Sequence, residues 1–245
     1  MRGLSPNLPH YLAKLTLSFP EGPASHKVAN RREAPDYRRE TMAKAGQVSD
    51  KERRQGGLDG IAAMLPREGG KGLPPVHLWN PPFCGDIDMR IAADGTWFYQ
   101  KTPIGRLALV KLFASVLKRE GEKYFLVTPV EKVGIAVDDA PFLAVELAIA
   151  DEMQGRTLRF RTNVDERVTA GPGHALRFEQ DADNGGLKPY LHVRSGLWAK
   201  VTRALFYDLV NLGEEREIGG KAMFGIVSAG EFYPMAEAST LREFL

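Results

Sequence analysis

The stretch DGTWFYQKTPIGRLALVKLFASVLKREGEKYFLVTPVEKVGIAVDDAPF, residues Asp94 to Phe142, decides the fold class of this 245-residue chain. Upstream of it, Ile87, Met89 and Ile91 alternate with Asp88 and Arg90, the pattern of a half-buried strand. Asp94-Gly95 then reads as a type I′ hairpin, with Trp97-Phe98-Tyr99 returning. Thr102 suits a helix N-cap and Pro103 the first helical position. The spacing predicts a helix from there to about Arg119, with Leu109, Leu112, Phe113, Val116 and Leu117 as its apolar stripe and Gly121 as terminator. Strands are expected at 124–129 and 132–137, and Asp138-Asp139-Ala140-Pro141 is turn chemistry. Strand signals and one amphipathic helix in this order define an α+β unit.

Working outward, further strands are expected near 142–149, 156–162 and 175–178, with a last one at 224–229. A shift of 93 residues lays Trp97-Phe98-Tyr99 over Tyr190-Leu191-His192, Lys101-Thr102 over Arg194-Ser195, and Leu112-Phe113 over Leu205-Phe206. The order of aromatic strand, basic residue, hydroxyl and amphipathic helix therefore occurs twice. Two related strand–turn–helix units with antiparallel sheets are expected, 73–141 and 142–245.

Residues 1–72 read differently. They carry charge clusters and Gly pairs without sustained apolar periodicity, so a flexible extension is expected, with one short helix near 58–65. Met42 or Met64 is expected as an alternative translation start. The extension holds 13 basic against 8 acidic residues, and the remainder 20 against 23. The basic sequence pI near 8.6 thus belongs to the extension. A folded part that is mildly acidic lacks the footprint of a nucleic-acid binder. The apolar stretch from Leu8 to Phe19 is broken by Pro9, His10 and Lys14, so it does not read as a signal peptide. One cysteine, Cys84, excludes an internal disulfide framework. A cytoplasmic protein without membrane association is the expectation.

At Asp94 to Phe142 the sequence resembles the bacterial domain-of-unknown-function family 1285. The resemblance continues through LRFRTN (Leu158 to Asn163) and PYLHVRSGLWAKVTRALFYDLV (Pro189 to Val210) and covers roughly residues 74–234. It implies duplicated α+β motifs, a C-terminal half similar to a pleckstrin-homology barrel, and a signalling role with a nucleotide-like ligand between the halves. It implies no assigned activity.

Helix starts expose unsatisfied N–H groups and the positive end of a dipole, which hold anions. On this reading Lys101, Thr102 and Arg106 stand at one start, and Arg194 and Ser195, with Lys200 beyond them, at the other. Glu131 and Lys132 point to opposite faces of a strand, so one of them needs a buried partner or a cavity. Arg159 and Arg161 share a strand face, followed by Asn163, and suit bidentate anion recognition. These ten residues, Lys200 apart, form the expected ligand-binding set. Five histidines without ligand spacing, and no GxSxG or Walker A pattern, point to no metal, no cofactor and no recognised hydrolase or P-loop chemistry. The expectation is a binding or sensing protein for a small anionic, nucleotide-like molecule. A protein–protein interaction module is the alternative, and an enzyme using Glu131, Asp138 or Asp139 as acid–base group is the third reading.

Overall fold

The structure, a computed structural model, describes residues 72–152, 155–181 and 185–243. The expected extension up to residue 71, its helix near 58–65 and both alternative starts lie outside the described residues. After a short 3-10 turn at Val76–Leu78 the chain forms fifteen strands and three helices among the described residues. Three consecutive antiparallel strands are the repeated element.

The first is β1 (Phe83–Ile91), β2 (Trp97–Tyr99) and β3 (Thr102–Pro103). Helix α1 (Leu107–Ser115) follows, then β4 (Leu117–Glu120), β5 (Lys123–Val127) and β6 (Lys132–Val137). These six make one sheet in the order β3-β2-β1-β6-β5-β4, closed in the middle by the parallel pair β1 and β6. A second sheet repeats the scheme: β7 (Phe142–Glu152), β8 (Gly155–Thr162), β9 (Arg167–Thr169), β10 (Leu176–Gln180), β11 (Leu187–Arg194) and β12 (Leu197–Val201). Its order is β10-β11-β12-β7-β8-β9, and again the first strand of one triplet pairs in parallel with the last strand of the next. Helix α2 (Arg203–Asn211) then leads into a three-stranded sheet of β13 (Glu214–Ile218), β14 (Lys221–Ser228) and β15 (Glu231–Glu237), ending in α3 (Ala238–Glu243). The architecture is mixed α+β, mostly antiparallel, with two similar six-stranded sheets.

The helix expected to start at Thr102 starts later. Gln100 and Lys101 both take positive φ, 48° and 63°, and Tyr99 pairs with Thr102. This is the two-residue turn that matches the right-handed twist of a hairpin. Thr102-Pro103 is therefore the short edge strand β3, a place where a proline without an N–H is tolerated. α1 begins at Leu107 with Arg106 at the N-cap position. It ends at Ser115, because Leu117 already pairs with Leu126, and Gly121 (φ 60°) makes the β4–β5 turn instead of ending a helix. The second unit shows the same correction. Ser195 and Gly196, at φ 45° and 75°, form the β11–β12 turn, and α2 starts after Thr202. The repeat survives with a different offset. α1 buries Leu109, Val110, Phe113 and Ala114, and α2 buries Leu205, Phe206, Leu209 and Val210, each 96 positions on. That spacing puts a stripe on one side of a helix, which packs it into the core.

At Asp94-Gly95 the hairpin forms, but only Gly95 has positive φ (80°), so the turn is not type I′. Asp94 Oδ1 accepts the Thr96 N–H at 2.9 Å and fixes it. A Cβ at Gly95 would come within 2.9 Å of Asn163 and Leu143, so this turn docks on the second sheet. The core runs through both sheets and the third. Trp97 is 1% exposed and stacks on Phe113 with centroids 6.3 Å apart. Ser228, fully buried, accepts the Leu158 N–H at 2.9 Å and donates to the Ala170 carbonyl at 2.7 Å. It bolts the third sheet to the second.

Candidate functional site

Residues of both six-stranded sheets line a cleft of about 250 Å³: Arg119, Glu122, Tyr124, Val137, Asp139, Arg177, Glu179, Tyr190 and Trp198. Alternation decides which side chains reach it. Arg119 and Tyr124 are cross-strand partners on β4 and β5, so they share a face. On the opposing side Arg177, Tyr190 and Lys200 form a row across β10, β11 and β12, with Trp198 two residues before Lys200. Asp139 enters from the turn between β6 and β7.

Asp139 organises the floor. It accepts the Tyr190 hydroxyl at 2.8 Å and Lys200 Nζ at 2.6 Å. The Lys200 and Asp139 side chains are about one-fifth exposed, at 20% and 19%. Burial, and then the hydrogen bond to Asp139, push the Tyr190 phenol well above its ordinary range, so it stays a donor. Burial also raises the Tyr124 phenol. The walls carry the accessible groups. The Arg177 guanidinium lies 4.0 Å from the Trp198 ring centroid and 5.2 Å from that of Tyr190, with Glu179 at 3.1 Å. Arg119 lies 5.7 Å from the Tyr124 ring and is held by Glu122 at 2.9 Å and by the Gly196 carbonyl at 3.4 Å. Two guanidiniums, one on each wall, stand beside two aromatic rings over a neutralised floor. Such a place offers charge and π-faces to a planar anion.

The sequence-derived set is not gathered there. Lys101 and Thr102 are exposed at the β2–β3 turn, and Ser195 is exposed at the β11–β12 turn. Arg106 is exposed before α1. Since neither turn opens a helix, the anion site argued from helix starts does not form. Arg194 is a joint: its Nη2 donates to the Ala114 carbonyl at the end of α1 at 2.7 Å, and Nε pairs with Glu166 at 3.1 Å. Lys132 pairs with Glu120 at 2.8 Å and lies 5.0 Å from the Phe125 ring. Glu131 is half-buried in the turn that Thr128 closes. Asn163 Oδ1 accepts the Leu143 N–H at 3.0 Å. Arg159 and Arg161 line a larger groove of about 720 Å³ over β7–β9. Arg159 is bound to Glu152, and Arg161 to Glu146 and to Asp165, without an aromatic face among the described residues beside either guanidinium of the kind that Trp198 and Tyr124 give Arg177 and Arg119. Asp138 pairs with Arg90 at 2.6 Å. The residues that sequence reasoning passed over, Arg119, Tyr124, Arg177 and Trp198, lie on four strands. Only the sheet pairing brings them together.

Among the described residues no group of three or more His, Cys, Asp or Glu is placed to hold a metal ion. No described helix is long and apolar enough to cross a membrane.

The fold and cleft define a protein of two similar six-stranded sheets with a small polar cleft lined by both. Residues 74–140 match the N-terminal domain of the family DUF1285, described as a domain of unknown function, and residues 141–235 match its C-terminal domain. The chain belongs to the DUF1285 family. It is similar to the crystal structure of a DUF1285 family protein from Silicibacter pomeroyi DSS-3, at 51% sequence identity and TM-score 0.69, covering 76% of this chain and 98% of that one. It also matches a DUF1285 family protein from Shewanella baltica OS155 at 34% identity and TM-score 0.41, over 51% of this chain and 91% of that one. No curated protein matches it.

Proposed function

We propose that this protein binds or senses a small anionic, nucleotide-like molecule in the cleft between its two six-stranded sheets. One observation carries this reading: Arg177 stacked at 4.0 Å on Trp198, across from Arg119 beside Tyr124. An aromatic ring slides between such faces, and an anionic group meets the guanidiniums. Asp139 keeps its partners Tyr190 and Lys200 in place, while Arg119 and Arg177 would share their guanidiniums between a ligand and the exposed carboxylates of Glu122 and Glu179. Signal transduction in the cytoplasm is the setting this reading carries. A pleckstrin-homology-like C-terminal half belongs to it too, supported by the contact of β10 with β15 and of β14 with β8, which curls the second and third sheets toward one another.

Thermal-shift screening of nucleotides and dinucleotides at millimolar concentration tests the proposal. The expected result is a stabilising ligand whose effect disappears in Arg177→Ala and persists in Arg106→Ala. No stabilisation by any of them sinks it.

A protein–protein interaction module is the second reading. Leu78, Phe83 and Val130 are exposed at 72%, 54% and 68% in or before the first sheet, more apolar surface than a ligand cleft requires. A stoichiometric partner lost in Phe83→Ser would favour it. Acid–base chemistry by Asp138 or Asp139 has less support, because Arg90, Tyr190 and Lys200 already engage both carboxylates.

A further inference from the structure

We infer that His192 is a pH-operated latch on one wall of the cleft. His192 lies on β11 directly opposite Trp198 of β12, with their rings 5.1 Å apart at 60°. Its Nδ1 stands 3.1 Å from the Gly173 carbonyl, which can only accept. Its Nε2 stands 3.2 Å from the Gly196 N–H, which can only donate. Both contacts are satisfied together by one species: the neutral ring with its proton on Nδ1 and a bare Nε2. The neighbouring His174 donates from Nδ1 to the His192 carbonyl at 3.2 Å, with its ring 6.0 Å away.

Gly196 is no ordinary turn residue. It completes the β11–β12 turn at φ 75°, and its carbonyl accepts Arg119 from the opposite sheet. The His192 ring therefore holds by its N–H the same peptide turn that the first sheet holds by its carbonyl. A proton arriving on Nε2 turns the acceptor into a donor and sets two N–H groups against each other. It also adds a second cation to the Trp198 ring, whose first cation is Arg177 at 4.0 Å. The charged and titratable groups around the latch are His174 from the β9–β10 loop, Arg177 from β10, Arg119 from β4, and Arg194 and Lys200 from the flanking strand positions. The carboxylates beside this set are each bound already: Glu166 by Arg194, Asp139 by Lys200, Glu179 by Arg177 and Glu122 by Arg119. Acidification thus releases the turn from the ring and loosens this wall. The inference does not depend on what the cleft binds.

Long-range proton–nitrogen spectra of the full chain labelled with nitrogen-15 in histidine and glycine test it. At pH 8 His192 should carry its proton on Nδ1. On going from pH 8 to pH 5 the exchange protection of the Gly196 amide should fall about tenfold, the loss of one modest hydrogen bond. In His192→Gln, whose carbonyl still accepts but does not titrate, that protection should be independent of pH. In His174→Gln the fall should remain. A proton on Nε2 at pH 8, an unchanged Gly196 protection while His192 titrates, or the same fall in His192→Gln would each overturn the latch.

Discussion

The hairpin β2–β3 with α1 and the hairpin β11–β12 with α2 are the same construction in different surroundings. Both turns place two consecutive residues at positive φ, and both helices bury the same four positions. The first turn, Gln100-Lys101, is exposed. The second, Ser195-Gly196, is gripped: Arg194 reaches the end of α1, and the Gly196 carbonyl meets Arg119. Local backbone conformation is therefore shared, and what differs is the use of each turn. One is a solvated corner, and the other fastens the two sheets around the cleft.

Breaking the grip should have the largest effect. Arg194→Ala removes the partner of Glu166 and of two carbonyls near the end of α1, and should cost about 3 kcal/mol of stability by denaturant unfolding. The same change at the other unit, Lys101→Ala, should stay within about 0.5 kcal/mol. Next comes the floor. Asp139→Asn leaves Lys200 partly buried without its counter-charge, and should cost about 2 kcal/mol. Tyr190 has a raised phenol pKa, so its contribution is complete below the ordinary tyrosine range and is lost as pH rises through and beyond it. Ultraviolet titration should show the last phenol of the parent to ionise doing so earlier in Asp139→Asn. Smaller still, Lys101→Gly should stabilise by about 0.5–1 kcal/mol, since glycine accepts positive φ without the side-chain penalty. The Ser195-Gly196 turn already has that glycine.

Surface pairs sharpen the comparison at low pH. The hydrogen bond to Arg161 holds Glu146 below the usual carboxylate range, and Lys111, then Arg161, do the same for Asp165. Their contribution is present above ordinary carboxylate pKa values and is lost as pH falls through the lowered ones. In Arg161→Gln the Glu146 carboxyl should titrate at higher pH by carbon-13 spectroscopy.

Much of this fold was legible in the sequence. The alternation of Ile87, Met89 and Ile91, the strand 132–137, the strand expected at 142–149 that runs on to Glu152, and the repeated order of aromatic strand and amphipathic helix follow from period and order. The helix starts did not, because Thr-Pro suits an N-cap and an edge strand equally. Positive φ at Gln100 and Lys101 decided between them, and neither residue advertises it. Only one strand was expected near the C-terminus where three stand, although Gly219-Gly220 makes the β13–β14 turn at φ 60° and 81°. The cleft was the least legible. Arg119, Asp139, Arg177 and Trp198 are far apart in sequence, and they meet only where the two sheets adjoin.

The central claim is that the accessible charge between the sheets, and not at the turns, is the ligand site. Mapping amide chemical-shift changes in the full chain on titration with adenosine monophosphate tests this most directly. The account predicts saturable shifts clustered at Arg119 to Tyr124, Asp139, Arg177 and Trp198, and their loss in Arg177→Ala. Shifts centred on Lys101 to Arg106 or on Arg159 to Arg167, with the cleft silent, would contradict it.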